Sequence, residues 1–273
     1  MMQGTHSKKN ISFASYCYWL GMGILLIGSF MLFFFTPASA QASTATIVTY
    51  QVTGPQIPVG QKGTLTASCE SGEQMLSGGF SGDAFEGAVK VVESYPSAPN
   101  TWTVTVDNSI APSWVQMTVS VYCLQASSSI GTTIVHATQS TAGTQILACP
   151  RGSVLLSGGY TGTAQPSISK PDANSWQSNA ATVYAMCARR HVTASSVATA
   201  ALTTPPVEAE AGATATCASN QLATGGGFSV DSGSVRPIVS SQDTTTGWSV
   251  AVAGSPYGSP TTMTISAVCT SIA

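Results

Sequence analysis

The most reactive side chains in this 273-residue chain are seven cysteines, and six of them fall into matched pairs. Cys69 with Cys123, Cys149 with Cys187, and Cys217 with Cys269 each bracket a segment of similar design. Two chemistries are open to such a set, metal ligation and oxidation. Zinc sites draw on C-x-x-C pairs or regularly spaced His and Cys ligands. The chain has no C-x-x-C, and His136 and His191 stand at no regular distance from the cysteines, so no metal is expected. Six thiols allow fifteen disulfide pairings. The repeat described below narrows these to closure within each segment or a cyclic exchange between segments. Closure within segments is the expectation: Cys69–Cys123, Cys149–Cys187 and Cys217–Cys269. Chain-entropy reasoning gives ~4 kcal/mol for each loop of about 40–55 residues.

Catalytic chemistry has few candidates. The chain contains no G-x-S-x-G elbow and no H-E-x-x-H motif. Past the N-terminal forty residues a His-dependent nucleophile would have to use His136 or His191, and neither has a counterpart in the other segments. Asp83, Glu86, Glu93 and Asp107 form the densest group of acids. Two of them could act as a glycosidase pair if the fold set their separation, but solvated loop acids are the expected reading. Glu208 and Glu210, beyond Pro205-Pro206, read as part of an extended connector. No catalytic residue and no cofactor are assigned.

Recognition chemistry is better represented. Trp102, Trp176 and Trp248 recur once per segment. A repeated Trp at a strand start is expected to be a packing residue; the sharper alternative is a ring that stacks on sugar. Trp114 has no counterpart in the other segments and is the better candidate for a surface contact. Asn100, Asp107 and Asn108 lie near it in sequence and are candidate hydrogen-bonding partners for a sugar.

Composition bounds the partners. Charged residues are only 7% of the chain, against 43% hydrophobic, so the chain is not of the disordered type. Its surface must be covered mainly by Ser, Thr, Asn, Gln and Gly. Formal net charge is −2, and loss of Lys8 and Lys9 would leave seven basic against eleven acidic residues. Phosphate-backbone binding needs clustered cations, and only Arg189-Arg190 approaches a cluster, so nucleic acid is not an expected partner.

The N-terminus reads as an export segment. Lys8 and Lys9 precede an uncharged apolar run from Tyr16 to Phe35; Thr36-Pro37 breaks it, and Ala38-Ser39-Ala40 follows. A positive n-region, an apolar h-region and A-x-A are the parts of a secretory signal. Cleavage is expected after Ala40, with Ala42 as second choice. The alternative is an uncleaved helix, since about 20 apolar residues can span a bilayer. Residues 43–273 face the outside either way, and any membrane contact is through this segment alone. Cys17 lies within it and takes no part in the mature fold.

The remaining residues read as three diverged copies of one unit. Gly78-Gly79-Phe80, Gly158-Gly159-Tyr160 and Gly226-Gly227-Phe228 each fall nine to eleven residues after the first Cys of their segment. Each segment then reaches its Trp and closes on an alternating run that ends in Cys, as in Met117–Cys123, Ala181–Cys187 and Met263–Cys269. Trp to Cys is 21 residues in copies one and three and 11 in copy two. Copy two is therefore expected to lack a loop or a strand pair. Period-two alternation with Val, Ile and Thr marks strands, with leading strands at 46–53, 132–138 and 197–202. The Ala-rich run 194–202 is ambiguous and reads as strand because its neighbours repeat that way. Glycine inside a strand marks a close approach by another backbone, so the Gly-Gly pairs are expected to let the units crowd at an axis with the aromatic residue in the core. The expected units are 1–40 leader, 41–124 repeat 1, 125–188 repeat 2 and 189–273 repeat 3.

The Cys…Gly-Gly-aromatic…Trp…Cys units resemble repeats of exported bacterial proteins of unassigned function. More distantly, across about residues 44–271, their pattern is similar to the vitelline membrane outer layer protein family. That resemblance implies a β-prism, three antiparallel sheets about a pseudo-threefold axis. The Asp-Asp-Thr-Ala stretch of that family is absent here, and no functional residue carries over. The expected protein is all-β, with three pseudo-symmetric antiparallel sheet repeats behind an apolar N-terminal helix. It is secreted or held at the cell surface, is not an enzyme, and binds carbohydrate or an envelope polymer. A purely structural coat protein and a polysaccharide hydrolase using acids of repeat 1 are the alternatives.

Overall fold

The computed structural model describes residues 9–10, 46–82, 89–109, 111–126, 128–141, 143–203, 210–231, 236–253 and 262–272. The apolar run, the expected cleavage site, Asp83, Glu86 and Glu208 lie outside them. The described residues form strands joined by turns, bends and irregular connections. A two-residue strand β1 (Lys9–Asn10) precedes the repeats. Repeat 1 forms β2 (Thr46–Thr53), β3 (Lys62–Ser68), β4 (Gln74–Gly82), β5 (Lys90–Ala98), β6 (Thr101–Asp107) and β7 (Met117–Gln125). Repeat 2 forms β8 (Thr132–Thr138), β9 (Gln145–Ala148), β10 (Val154–Thr161), β11 (Ile168–Asp172), β12 (Ser175–Ser178) and β13 (Thr182–Ala188). Repeat 3 forms β14 (Val192–Thr203), β15 (Glu210–Thr216), β16 (Leu222–Val230), β17 (Arg236–Thr244), β18 (Gly247–Ala253) and β19 (Thr262–Ile272). The Ala-rich run is strand, as its neighbours suggested: Ala198, Thr199, Ala200 and Ala201 pair along β19.

The repeat is a unit of sequence but not of sheet. The first sheet has the order β1-β2-β7-β4-β17-β18-β15, the second β3-β6-β5-β10-β13-β8, and the third β14-β19-β16-β11-β12-β9. Each repeat thus gives its first, third and sixth strands to one sheet and its second, fourth and fifth to the next. All pairings are antiparallel, and the halves join by short ladders at the same place each time. Phe80 pairs with Ser240, Tyr160 with Ser94, and Phe228 with Ser169. Three six-stranded sheets closed in a ring are the result, with β1 as an added strand on the first.

The disulfides follow the same cycle. Cys69–Cys123, Cys149–Cys187 and Cys217–Cys269 are formed, closing sequence separations of 54, 38 and 52 residues. The first cysteine of each pair follows a strand of one sheet and the second lies within a strand of another. Every bond therefore staples two sheets, and the three together staple the ring.

The two glycines of each motif do different work. A Cβ at Gly78, Gly158 or Gly226 would overlap the indole of Trp102, Trp176 or Trp248 of the same repeat. A Cβ at Gly79, Gly159 or Gly227 would instead overlap the backbone carbonyl of Ser240, Ser94 or Ser169 of another repeat. The first glycine makes room for the repeat's own core and the second for its neighbour's chain. Each indole Nε1–H donates to the hydroxyl of the serine on that joining strand. The pairs are Trp102 to Ser94, Trp176 to Ser169 and Trp248 to Ser240, at 3.1, 3.1 and 3.2 Å. Burying an indole without an acceptor would cost roughly 1–3 kcal/mol, so the serine is part of the motif. These groups enclose a cavity of about 10 Å³ between the three repeats, also lined by Phe80, Tyr160 and Phe228.

A second set of contacts ties the glycine strands to one another. Ser157 Oγ donates to the Leu76 carbonyl and Thr224 Oγ1 to the Leu156 carbonyl, at 3.0 and 2.9 Å. The third member by symmetry is Ser77, but the carbonyl it would reach, that of Ala223, accepts from Gln242 Nε2 at 2.7 Å. Ser77 Oγ is left buried without a partner.

Copy two keeps all six strands, so of the two expected losses, a loop or a strand pair, it is the loop that is missing. Its strands in the third sheet are trimmed: β9, β11 and β12 have 4, 5 and 4 residues, against 7, 9 and 7 for β3, β5 and β6. The connection from β12 to β13 is also cut to residues 179–181, where β6 and β7 are joined by 108–116.

Gly79→Ala is expected to destabilise the protein by about 1–3 kcal/mol in chemical denaturation, because the obstacle is backbone and cannot rotate away. Gly162→Ala, whose Cβ would meet its nearest atoms at 3.5 Å, should stay within about 0.5 kcal/mol of the parent.

Candidate binding surface

Two connections of repeat 1, residues 54–61 and 108–116, run side by side. Ile57 and Val115 form an isolated antiparallel bridge with N–H···O contacts of 2.8 and 3.1 Å, and both side chains are buried. Gly60 N–H donates to the Asn108 carbonyl and Asn108 N–H to the Gln61 carbonyl, both at 2.9 Å. The Asn108 side chain is fully buried, and its Nδ2 donates to the carbonyls of Ile57 and Ser113. Asn108 is thus a clamp for the two connections rather than a group free to meet a sugar. Asp107 is also buried and is similarly engaged. Its Oδ1 accepts from Ser109 N–H at 3.0 Å, and its Oδ2 lies 3.4 Å from Lys62 Nζ.

Trp114 is what these clamps hold out. With Val115 turned inward, Trp114 is 50% exposed, and Val59 on the facing connection is 52% exposed. Pro58 and Pro112 beside them are also exposed. The same connections lead into an open cavity of about 230 Å³ lined by Thr53, Ser81, Gly82, Gln116 and Thr118. Thr53 and Thr118 share a hydroxyl hydrogen bond of 2.8 Å, and Gln116 Nε2 donates to the Gly54 carbonyl at 2.9 Å. Asn100 is not part of this surface. It sits in the turn between β5 and β6, where its carbonyl accepts from Cys69 N–H. That is the far end of a seven-residue strand from Asp107, about 20 Å away.

The repeated indoles are core. Trp102, Trp176 and Trp248 are 1, 1 and 2% exposed, which excludes them as sugar-stacking rings. Glu93 accepts from Thr105 Oγ1 at 2.6 Å. His191 stands exposed at a left-handed turn, φ 57°, between β13 and β14. Glu73 is buried beside Cys69 and Cys123 and accepts from Tyr50 Oη, Gln125 Nε2 and Glu70 N–H. Burial, and then Glu73, pushes the Tyr50 hydroxyl well above its ordinary pKa. Cys69, Glu73 and Cys123 bring three atoms of metal-ligating type together, but the two sulfurs are bonded to each other.

One aromatic group escaped the sequence reading. Tyr95, Tyr184 and His136 form a row across the second sheet, with ring centroids 4.9 Å apart for Tyr95–Tyr184 and 5.6 Å for His136–Tyr184. They come from β5, β13 and β8, far apart in the chain. Their shared strand parity is the only local signal that points to one face.

Ring-closed, disulfide-stapled sheets with hydroxyl-rich faces define the class of protein. Three disulfides are consistent with an oxidising compartment. Among the described residues no helix is long and apolar enough to cross a membrane. A family model described as YjdH matches residues 30–125. The chain is similar to that family over the end of the apolar run and the first repeat, closing with the last residue of β7. No curated protein matches the chain.

Burial acts to raise the Asp107 carboxyl pKa, but the Ser109 hydrogen bonds and Lys62 outweigh it, and the net direction is down. A carboxylate whose folded pKa lies below its unfolded value stabilises the fold above the unfolded value, about 3.9. That contribution is lost as pH falls through the folded pKa. Acid denaturation curves of the parent and Asp107→Asn should therefore converge below about pH 4, with the parent the more stable above it.

Proposed function

We propose that this is an exported, non-enzymatic protein that binds a glycan or another uncharged envelope polymer through the surface around Trp114. The observation that carries the reading is an indole held 50% exposed on a clamped connection, leading into an open cavity lined by hydroxyl and amide groups. Saccharides present C–H faces and hydroxyls together, and a fixed aromatic ring beside fixed polar groups suits both. The low charge of the chain favours a neutral ligand over a nucleic acid. Burial of the three repeated indoles removes them from the argument, so the reading rests on Trp114. The apolar run with Ala38-Ser39-Ala40 and the oxidised cysteines support export, with cleavage after Ala40. The likeness to the vitelline membrane outer layer family supports the three-sheet architecture and no particular ligand.

A glycan array probed with the purified protein tests this. Binding to at least one neutral polysaccharide is expected, and silence across a diverse array overturns the reading. Trp114→Ala should lower that binding at least tenfold while leaving stability within about 0.5 kcal/mol, as for an exposed side chain. Trp102→Ala should cost about 3–5 kcal/mol of stability, as for a buried one.

A further inference from the structure

We infer that the Tyr95–Tyr184–His136 row on the second sheet is a second contact strip for the same neutral glycan; this deepens the reading above and rests on it. The internal symmetry supplies a control that a single copy could not. Tyr184 pairs with Gly159 on one side and His136 on the other. The matching positions on the first sheet are Ser120, paired with Gly79 and Gln51. On the third sheet they are Ser266, paired with Gly227 and Thr199. Tyr95 follows the joining serine, Ser94, where the other two sheets carry Ser241 and Lys170. The fold is thus built twice without aromatic residues in this row, and rings at three linked positions of one sheet are not a requirement of the architecture.

The row is exposed enough to be reached. Tyr95 and Tyr184 are half-buried and His136 is exposed. The rings are tilted against each other by 34° and 33°, so each is fixed by its neighbour before any ligand arrives, which lowers the ordering cost of binding. The absent side chain at Gly159 lets Tyr95 and Tyr184 meet over the strand between their own. Two residues further along the strands, about 7 Å away, lies a parallel row of polar groups: Glu93, Thr161, Thr182 and Thr138. Hydroxyl rows at that level recur on the other sheets, as in Thr53–Thr118–Ser81; on the second sheet the row runs alongside three rings carried by the strands themselves. Three half-exposed rings bordered by threonines fall short of the roughly 800 Å² per partner of a stable protein interface. They match a short stretch of polyhydroxylated chain, whose C–H edges would lie on the rings and whose hydroxyls would meet Glu93, the threonines and the tyrosine hydroxyls.

The test replaces the row by the residues that the first sheet carries at the same places, Tyr95→Ser, Tyr184→Ser and His136→Gln together. Native affinity electrophoresis of the full chain through gels containing a soluble β-glucan, xylan, mannan or α-glucan reads the binding. The parent should be retarded by at least one polymer and the triple variant at least tenfold less, with its thermal transition still cooperative. If the triple variant fails to fold, His136→Gln alone, at the exposed end of the row, should still weaken retardation at least threefold. Retardation of the variants equal to the parent, with Trp114→Ala abolishing it, overturns the strip and leaves the glycan reading standing. No retardation of the parent by any polymer overturns both. A parent that sediments as a dimer, split by the triple variant, assigns the row to a second copy of the chain and overturns the strip.

Discussion

The carbonyl of a serine from one repeat occupies the space where the next repeat would carry a side chain. That contact, made at Gly79, Gly159 and Gly227, is the constraint on which the rest depends. It sets how near the joining strands β17, β5 and β11 come to β4, β10 and β16, and so whether three half-sheets from different repeats become continuous. The preceding glycine admits the indole that fills the repeat's own core, and that indole's N–H is accepted by the joining serine of its own repeat, whose carbonyl lies against the glycine of the next. One four-part device of two glycines, a tryptophan and a serine therefore couples the filling of each core to the joining of the ring.

Pseudo-symmetry is strict in this device and relaxed around it. Ser77 stands unpaired because Gln242 takes the carbonyl that its counterparts Ser157 and Thr224 would lead it to use. Tyr122, edge-on to Trp248 at 5.9 Å, accepts from the Gln242 N–H, which ties β7 to β17 in a way the other repeats do not reproduce. Its hydroxyl pKa is pushed up to about 12, chiefly by burial. The differences accumulate away from the axis, on sheet faces and connections, where three identical copies would offer three identical surfaces. Trp114 and the Tyr95–Tyr184–His136 row are both of this kind.

Much of this was legible in the residues. Period-two alternation located the strands, down to the Ala-rich β14, whose assignment rested on its neighbours. The cysteine register pointed to closure within each repeat. Exchange of half-sheets was not legible, because alternation says that a segment is a strand and which face is buried, but not which strand lies beside it. The Trp residues could be read either as core or as sugar platforms until Gly78, Gly158 and Gly226 were seen beneath them. Asn108 looked like a surface amide because Asn in a connection between strands is commonly solvated; here its burial serves two neighbouring connections at once. The aromatic row was hidden because its members sit on strands separated by whole elements, and only register brings them together.

The exchange of halves also dictates an order of events during synthesis. When the first repeat has emerged, β4 has β7 on one side and nothing on the other, because its second neighbour, β17, belongs to the third repeat. The first sheet stays an unfinished edge until nearly the whole chain is present. Exposed edges of this sort invite pairing with other molecules, and contacts so distant in sequence form slowly. That open edge is shielded only when the chain's own last strands arrive.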